Sequence, residues 1–572
     1  MLLPLKILLD GAGRVTSCRL VAFYLVFCSL FLCFFSSAAS FQPSTDSKID
    51  GRNVTVNGAK LDSSVDEIQW CGTDHSTLLL RTIQNRLYRS FDSGKTWNDI
   101  SDLFRVSKDG EEEIVEVESI SVNPVEKNII VFHSWMFHPT KPKWSLLAGI
   151  SDECYQSESS NSSNCNRRLF ITKDLGRTIS LVSNYVVQFN WGDVKHSQED
   201  RIYYSRHRSQ KGNQFTVGGW SSDVDFVYTD NFGKSTTVLV PSGNKFVVSN
   251  EYIFVAAADD IAKQTVEMKV SIDGAKTFST SKLSTEIQQK SYSVLDVSEG
   301  AIMLHVNHGE DGKSDTGNVY VSDASGTHFS LSLPGNIRTA TGECEFDKVM
   351  SLEGVYLANF KEELEGDISS IDHMEDSIIE DEEENAATEV EKKRHPKSKA
   401  KNQEVIRTVV SFDKGGAWYY VKPPEEDSLG QKVECTTKHC SLHLHGITTF
   451  TQYAPFYSMQ NAVGIILSTG NVGSHLSYDT SAVIFSWNEG RTWYDFDLNG
   501  GPIEVNNIVI EPNSSTLEFL LYGTRGDEGV VYHMDFKSLG QKYCKGLDEA
   551  NTWNSDYETW IPSGIENEKI FG

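Results

Sequence analysis

Ser90-Phe91-Asp92-Ser93-Gly94-Lys95-Thr96-Trp97 sets a pattern that returns along most of this chain. It reads Ser/Thr-x-Asp-x-Gly-x-Thr-Trp, and each position has a physical reason. The hydroxyl and the carboxylate accept backbone N–H groups of their own turn, and glycine supplies a positive φ that other residues resist. Thr and Trp re-enter an extended strand, where the indole covers the hairpin. Arg86-Leu87-Tyr88-Arg89 just before it alternates polar and apolar, so the unit is strand, tight turn, returning strand: an Asp-box hairpin.

Worn copies follow. Thr172-Lys173-Asp174-Leu175-Gly176-Arg177-Thr178-Ile179 lacks only the Trp, and Thr229-Asp230-Asn231-Phe232-Gly233-Lys234-Ser235 has Asn for Asp. Ser271-Ile272-Asp273-Gly274-Ala275-Lys276-Thr277-Phe278 has Ala where Gly belongs, and 322–329 is the most eroded. Ser411-Phe412-Asp413-Lys414-Gly415-Gly416-Ala417-Trp418 lacks the Thr, and Ser486-Trp487-Asn488-Glu489-Gly490-Arg491-Thr492-Trp493 again has Asn. Asp92, Asp174, Asn231, Asp273, Asp413 and Asn488 are therefore structural turn residues. First positions are spaced by 82, 57, 42, 51, 89 and 75 residues. Repeats of that length predict an all-β fold, a large β-propeller of about ten four-stranded blades. The 82-residue interval hides a further blade near 119–132.

Glu362 to Glu391 holds fourteen acids and no Lys or Arg, about half of the formal net charge of −27. The remaining surface is mildly acidic, which excludes nucleic acid as a partner. The same region, 361–404, turns basic at Lys392-Lys393-Arg394 and is nearly free of aromatics, so it reads as a disordered acidic insertion within a blade.

At the N-terminus, Arg14 and Arg19 precede an apolar run from Leu20 to Phe35 and the small residues Ser36-Ser37-Ala38-Ala39-Ser40, so 1–40 reads as a signal peptide. An uncleaved anchor is the alternative. Residues 41–66 are polar and read as a disordered leader or propeptide, 67–542 as the propeller and 543–572 as the start of a cysteine-rich module. Seven cysteines remain for an oxidising lumen, and Asn53, Asn161 and Asn513 are glycosylation acceptors. Ring closure predicts a Cys71–Cys544 bond, because the first strand and the end of the last blade must meet. Cys154–Cys165 and Cys435–Cys440 are the short-range pairs, leaving Cys344 over.

Gly470-Asn471-Val472-Gly473-Ser474-His475-Leu476, preceded by Leu442-His443-Leu444-His445-Gly446 and followed by the hairpin at Ser486, resembles the last third of the luminal domain of the sortilin family, the vacuolar protein sorting receptors. Val321-Ser322-Asp323-Ala324-Ser325-Gly326-Thr327 and Leu352-Glu353-Gly354-Val355-Tyr356-Leu357-Ala358-Asn359 add two matches, and the likeness covers about 68–561. The resemblance implies a ten-bladed propeller, a cysteine-rich module, one membrane helix and a cytoplasmic tail. Only the beginning of that module is present, so the chain is either truncated or a soluble form. The implied function is non-enzymatic: a luminal domain that binds protein or peptide cargo in the Golgi and carries it to endosomes or vacuoles, within a single-pass type I membrane protein.

Family members of the human type bind a peptide carboxylate through an arginine that follows a segment like Phe329-Ser330-Leu331-Ser332-Leu333. Gly335 occupies that place here, and Arg338 is the substitute ligand-binding candidate. The spacing of Cys435 and Cys440 resembles the family's paired cysteines before the same Leu-His-Leu-His. A zinc site of His439, His443 and His445 with those cysteines competes with that disulfide, and the disulfide is preferred, so no metal and no cofactor is expected. His443 and His445 are pH-sensing candidates. A sialidase-like glycosidase also carries Asp boxes, but no Phe-Arg-Ile-Pro-like strand is present; a secreted protein-binding scaffold is the third alternative.

Overall fold

The computed structural model describes residues 8–9, 15–17, 41–49, 552–555 and, with interruptions, 52–536; the longest interruptions are 155–164, 365–402 and 446–465. The apolar run 20–35, Asn161, Asn488, Asn513 and Cys544 lie outside the described residues. Among the described residues no helix is long and apolar enough to cross a membrane.

The described strands pair with their neighbours in sequence as antiparallel meanders. Val65–Cys71, Thr77–Thr82, Leu87–Ser90 and Asn98–Asp99 form the first blade. Ser121–Val122 pairs with Ile130–Val131 at the place of the hidden blade. Four-stranded blades follow at 136–183 and 186–240, and then a blade at 243–288 whose fourth position is shared by Ser279–Thr280 and Ile287–Gln288. Tyr292–Asp296, Met303–Val306, Thr316–Ser322 and Phe329–Ile337 make the next, which is joined through Asn336↔Phe360 to the blade of Phe346–Lys348, Tyr356–Leu364, Gln403–Ser411 and Tyr419–Tyr420. Ser441–Leu444, Ile466–Gly473, Ala482–Ser486 and Tyr494–Asp497 form another. The core lies between blades: Val349, Leu357 and Val421 pack with Leu442, Ile466 and Trp493 of the following sheet. This is a β-propeller.

Two expectations are corrected. Residues 41–66 are not a structureless leader, because Arg52–Leu61 pairs with Glu528–Asp535 from Thr55↔Asp535 to Leu61↔Gly529 and completes the blade of Glu504–Ile510 and Glu518–Arg525. Phe41–Ile49 pairs along its other edge. Ala59 and Leu61 from this strand join Ile68 and Trp97 of the first blade and Leu520 and Val531 of the last in one core, so the ring closes by the sequence's two ends sharing a sheet. The insertion is also narrower than 361–404. Lys361 to Leu364 pair with Gln403 to Ile406 as a continuous ladder, leaving 365–402 outside the described residues.

The hairpins explain why worn repeats survive. Ser90 Oγ accepts the Gly94 N–H (2.9 Å) and donates to Asp92 Oδ1 (2.8 Å), while Asp92 accepts Thr96 N–H (2.9 Å) and Oγ1–H (2.6 Å). Asp174, Asp273 and Asp413 repeat the core of this arrangement. Asn231 Oδ1 accepts the Ser235 N–H (2.8 Å), and its Nδ2 donates to Ser235 Oγ (2.7 Å), so an amide fills the carboxylate's place by reversing one bond. Although burial pushes it up, hydrogen bonds from Thr277, Ser271 and Lys276 hold Asp273 down to about 2. Gly233, at φ 89°, also sets the distance to the previous blade: a Cβ there would stand 2.2 Å from Val182 O.

Candidate functional site: a polar seam across three blades

The two stretches that carried the resemblance pair with each other. Leu442↔Val472, His443↔Asn471 and Leu444↔Gly470 form one antiparallel ladder. A Cβ at Gly470 would lie 2.1 Å from His443 O, so only hydrogen fits between these strands. Asn471 folds the turn after it, accepting the Ser477 N–H (2.8 Å) and donating to His475 O (3.0 Å). The Leu476 N–H then reaches Ile406 O (2.8 Å) in the preceding blade.

From this ladder a buried chain of polar side chains crosses two blade boundaries. Asn336 Nδ2 donates to Glu345 O (2.7 Å) and Asn359 O (2.9 Å), and Asn359 Nδ2 donates to Glu345 Oε2 (2.8 Å) and Leu444 O (3.0 Å). Thr408 Oγ1 donates to Asn359 Oδ1 (2.5 Å) and accepts the Leu444 N–H (2.8 Å). The Thr408 N–H donates to His443 Nδ1 (3.3 Å), which puts the imidazole proton on Nε2, facing Gly473 O at 3.1 Å. Arg407 braces the same seam through His439 O (2.8 Å), Ser441 Oγ (2.9 Å) and Glu362 (3.0 Å), with its guanidinium over Tyr420. Asn336, Asn359, Thr408 and His443 are all fully or nearly fully buried. In so dry a place each unmade bond is costly. The chain couples the 292–337, 346–420 and 441–497 blades while leaving Asn336 Oδ1 and Arg407 Nε without a hydrogen-bond partner among the described residues.

Burial pushes His443 down to about 4, with the nearby Arg407 cation adding to the fall and the Gly473 carbonyl opposing it. Charging it would also place Nδ1–H against the Thr408 N–H, donor against donor. Burial and this contact favour the neutral ring, so acid acts on His443 as a cost to folding as pH falls. His445 is lowered by burial in the same direction. His305, two blades back, is pushed down to about 4 by burial, its Nε2 3.4 Å from Asn336 O.

Arg338 is not offered to solvent. It is 7% exposed, and its Nη2 donates to Lys290 O (3.0 Å), tying two connections together at the end of the Phe329–Ile337 strand. Gly335 has φ 72° in that strand. Cys154–Cys165 and Cys435–Cys440 are disulfides, so Cys435 and Cys440 hold no metal. Cys71 is buried with Sγ 3.6 Å from Thr77 O, and its expected partner lies outside the described residues. Cys344 is buried, and burial raises its thiol to about 11. Asn53 stands on the closing strand. Sequence reasoning missed Asn336, Asn359, Thr408 and Arg407. Their signal was present: in Tyr356-Leu357-Ala358-Asn359-Phe360 an amide interrupts an apolar run.

A closed ring of antiparallel blades, cut by Asp-box hairpins whose carboxylates are spent on their own turns, defines the class of Asp-box β-propellers. Within it the chain belongs to the Sortilin-Vps10 family, whose profile, described as sortilin, neurotensin receptor 3, matches residues 50–495. A vacuolar protein sorting/targeting protein 10 from Ajellomyces capsulatus (strain H143) is 25% identical over 486 residues, covering 74% of this chain and 31% of that protein. Proteins of the same name from Aspergillus terreus (24%, covering 86% and 35%) and Phaeosphaeria nodorum (26%, covering 77% and 31%) are similar to it as well. The alignments thus span about a third of the length of these curated relatives. Among solved structures, YCF48 bound to D1 peptide is 10% identical at a TM-score of 0.30, covering 84% of this chain and 94% of that one. The β-propeller domain of the Trilobed protease from Pyrococcus furiosus is 8% identical at 0.27, covering 79% and 98%. At TM-scores this low neither likeness says anything about function.

Proposed function

We propose that this chain is the luminal, cargo-binding part of a sortilin-like vacuolar sorting receptor, that it carries protein or peptide cargo from the Golgi to the endosome or vacuole, and that it is not an enzyme. The family match over 50–495 carries this reading. The hairpins support its non-catalytic half, because the carboxylates of Asp92, Asp174 and Asp273 accept both the amide and the hydroxyl of their own turns and have no free acid to give a glycoside. Arg338, buried and bonded to Lys290 O, acts in this reading by shaping the 338–344 connection rather than by touching a cargo carboxylate. Disulfides and glycosylation triplets are consistent with a lumen, and a membrane anchor belongs to the proposed full-length form.

The test is loss of the gene in its source organism. Vacuolar hydrolases should then appear in the medium, and their complete retention would overturn the sorting role. Turnover of a sialoside by the purified chain, abolished by one point substitution, would overturn the non-enzymatic part.

A further inference from the structure

In an antiparallel meander the first-to-second and third-to-fourth connections leave a blade on the same side, so the Asp boxes and the first connection of every blade share one face of the ring. On that face three consecutive blades present a basic strip. Lys143 lies between Met136–Phe137 and Ser145–Ile150, Lys173 and Arg177 between Arg167–Thr172 and Ser180–Ser183, and Lys195 between Val186–Trp191 and Ile202–His207. Lys234 and Lys276 occupy the sixth position of the next two Asp boxes, where Arg177 also stands. All six are exposed. Among the described residues none of them is held in an ion pair, because the neighbouring acids are taken elsewhere. Asp200 is bound by His138 and Lys141, Asp230 by Arg201, and Asp174 and Asp273 by their own turns.

Lys173 is the centre of the strip. Its Nζ sits 3.2 Å from the Phe232 ring centroid and 4.4 Å from that of Trp144, whose ring also carries Lys141 Nζ at 4.3 Å. Partial burial lowers the Lys173 pKa, Asp200 opposes, and Lys141 and Lys234 lower it further. Two cations, Lys141 and Lys173, thus sit over one aromatic pair, with Lys234 close enough to add to their field. That local excess of positive charge stands out on a chain of formal net charge −27.

We propose that this strip docks a sulfated oligosaccharide chain. A repeating anion suits cations repeated once per blade, and the Trp144–Phe232 pair gives a sugar ring an apolar neighbour. Ammonium groups meet sulfate oxygens as point charges without needing a backbone edge. An acidic peptide is disfavoured because the turn N–H groups it would use are consumed by the Asp boxes: Gly176 and Thr178 donate to Thr172 and Asp174, Gly233 and Ser235 to Thr229 and Asn231.

The experiment measures binding of the whole chain to a heparin-type oligosaccharide at about 0.15 M salt, where surface electrostatics is already screened beyond about 8 Å. The expected result is binding that weakens steeply with salt and falls about tenfold or more in Lys143→Gln/Lys173→Gln/Lys234→Gln. Lys211→Gln/Lys263→Gln, at exposed lysines in second-to-third connections on the other face, should bind like the parent. Lys234→Gln/Lys276→Gln leaves the Trp144 contacts intact and should lose affinity with an unchanged unfolding curve. Absence of binding by the parent, or equal binding by parent and triple variant, would overturn the proposal. Tighter binding of poly-glutamate than of the oligosaccharide at equal charge would overturn it in favour of an acidic peptide.

Discussion

The Asp-box hairpins and the three-blade polar seam both satisfy buried polar groups, but over different distances along the chain. In a hairpin every partner lies within about five residues, as Ser90, Asp92, Gly94 and Thr96 do. In the seam Asn359 reaches Leu444, 85 residues on, and Thr408 reaches His443, 35 on. Local partners make a turn that tolerates wear: Asn231 replaces Asp, and Ala275 takes φ 65° where glycine is the usual residue. The seam has no such slack, because its bonds join different strands: Asn359 reaches Leu444, and His443 is held between Thr408 and Gly473. Erosion should therefore be cheap in the hairpins and expensive in the seam.

The largest effect should come from Gly470→Ala, which drives a methyl group into His443 O at 2.1 Å between paired strands. A loss of about 3 kcal/mol or more in urea unfolding is expected, as for overpacking against backbone; a loss under about 1 kcal/mol would show that the ladder yields. Next, Asn359→Leu removes three side-chain bonds and strands Thr408 Oγ1–H, for an expected cost of about 2–3 kcal/mol.

The third effect depends on pH. His443 and His305 have folded pKa values near 4, below the unfolded value of about 6.5, so the unfolded chain binds the extra proton and folding is penalised as pH falls through that window. Each costs about 1 kcal/mol by pH 5.5 and about 3 kcal/mol by pH 4. Unfolding curves at pH 7, 5.5 and 4.5 should show His443→Gln losing less stability with acid than the parent, whatever its starting value. Parallel losses in both proteins would remove His443 from acid sensitivity.

The smallest effect should be Asp92→Asn, about 0.5–1 kcal/mol, since Asn231 already shows how an amide fits. A loss as large as that of Asn359→Leu would erase the distinction between the two regions.

The same distinction governs what was legible in the sequence. Asp92, Asp174 and Asp273 could be read as turn residues because their partners are written within the same few residues. His443 could be placed on a strand, but its acid range could not be read, because the burial and the Thr408 N–H that hold it neutral come from another blade. Asn359 could be quoted as part of a resembling stretch without its role, since Leu444 and Thr408 are distant in sequence. The strand Arg52–Leu61 escaped notice for two reasons: its partner strand begins at Glu528, and Gly58 interrupts the alternation of Val54 and Val56. That glycine makes room for Tyr532, whose ring would stand 3.0 Å from a Cβ there.

The closing strand has a consequence for how the protein is made. Lys60 and Glu528, ion-paired across the finished sheet, are 468 residues apart. At about 5–20 residues per second, roughly 20–90 s separate their synthesis. Throughout that interval Arg52–Leu61 is an extended segment with its proper template not yet translated, while complete blades assemble behind it. Quality control of the chain thus has one late event to watch. A ribosome that stalls anywhere before Asp535 leaves an open arc with two unpaired edges, the form of the chain best suited to hold a chaperone or to aggregate.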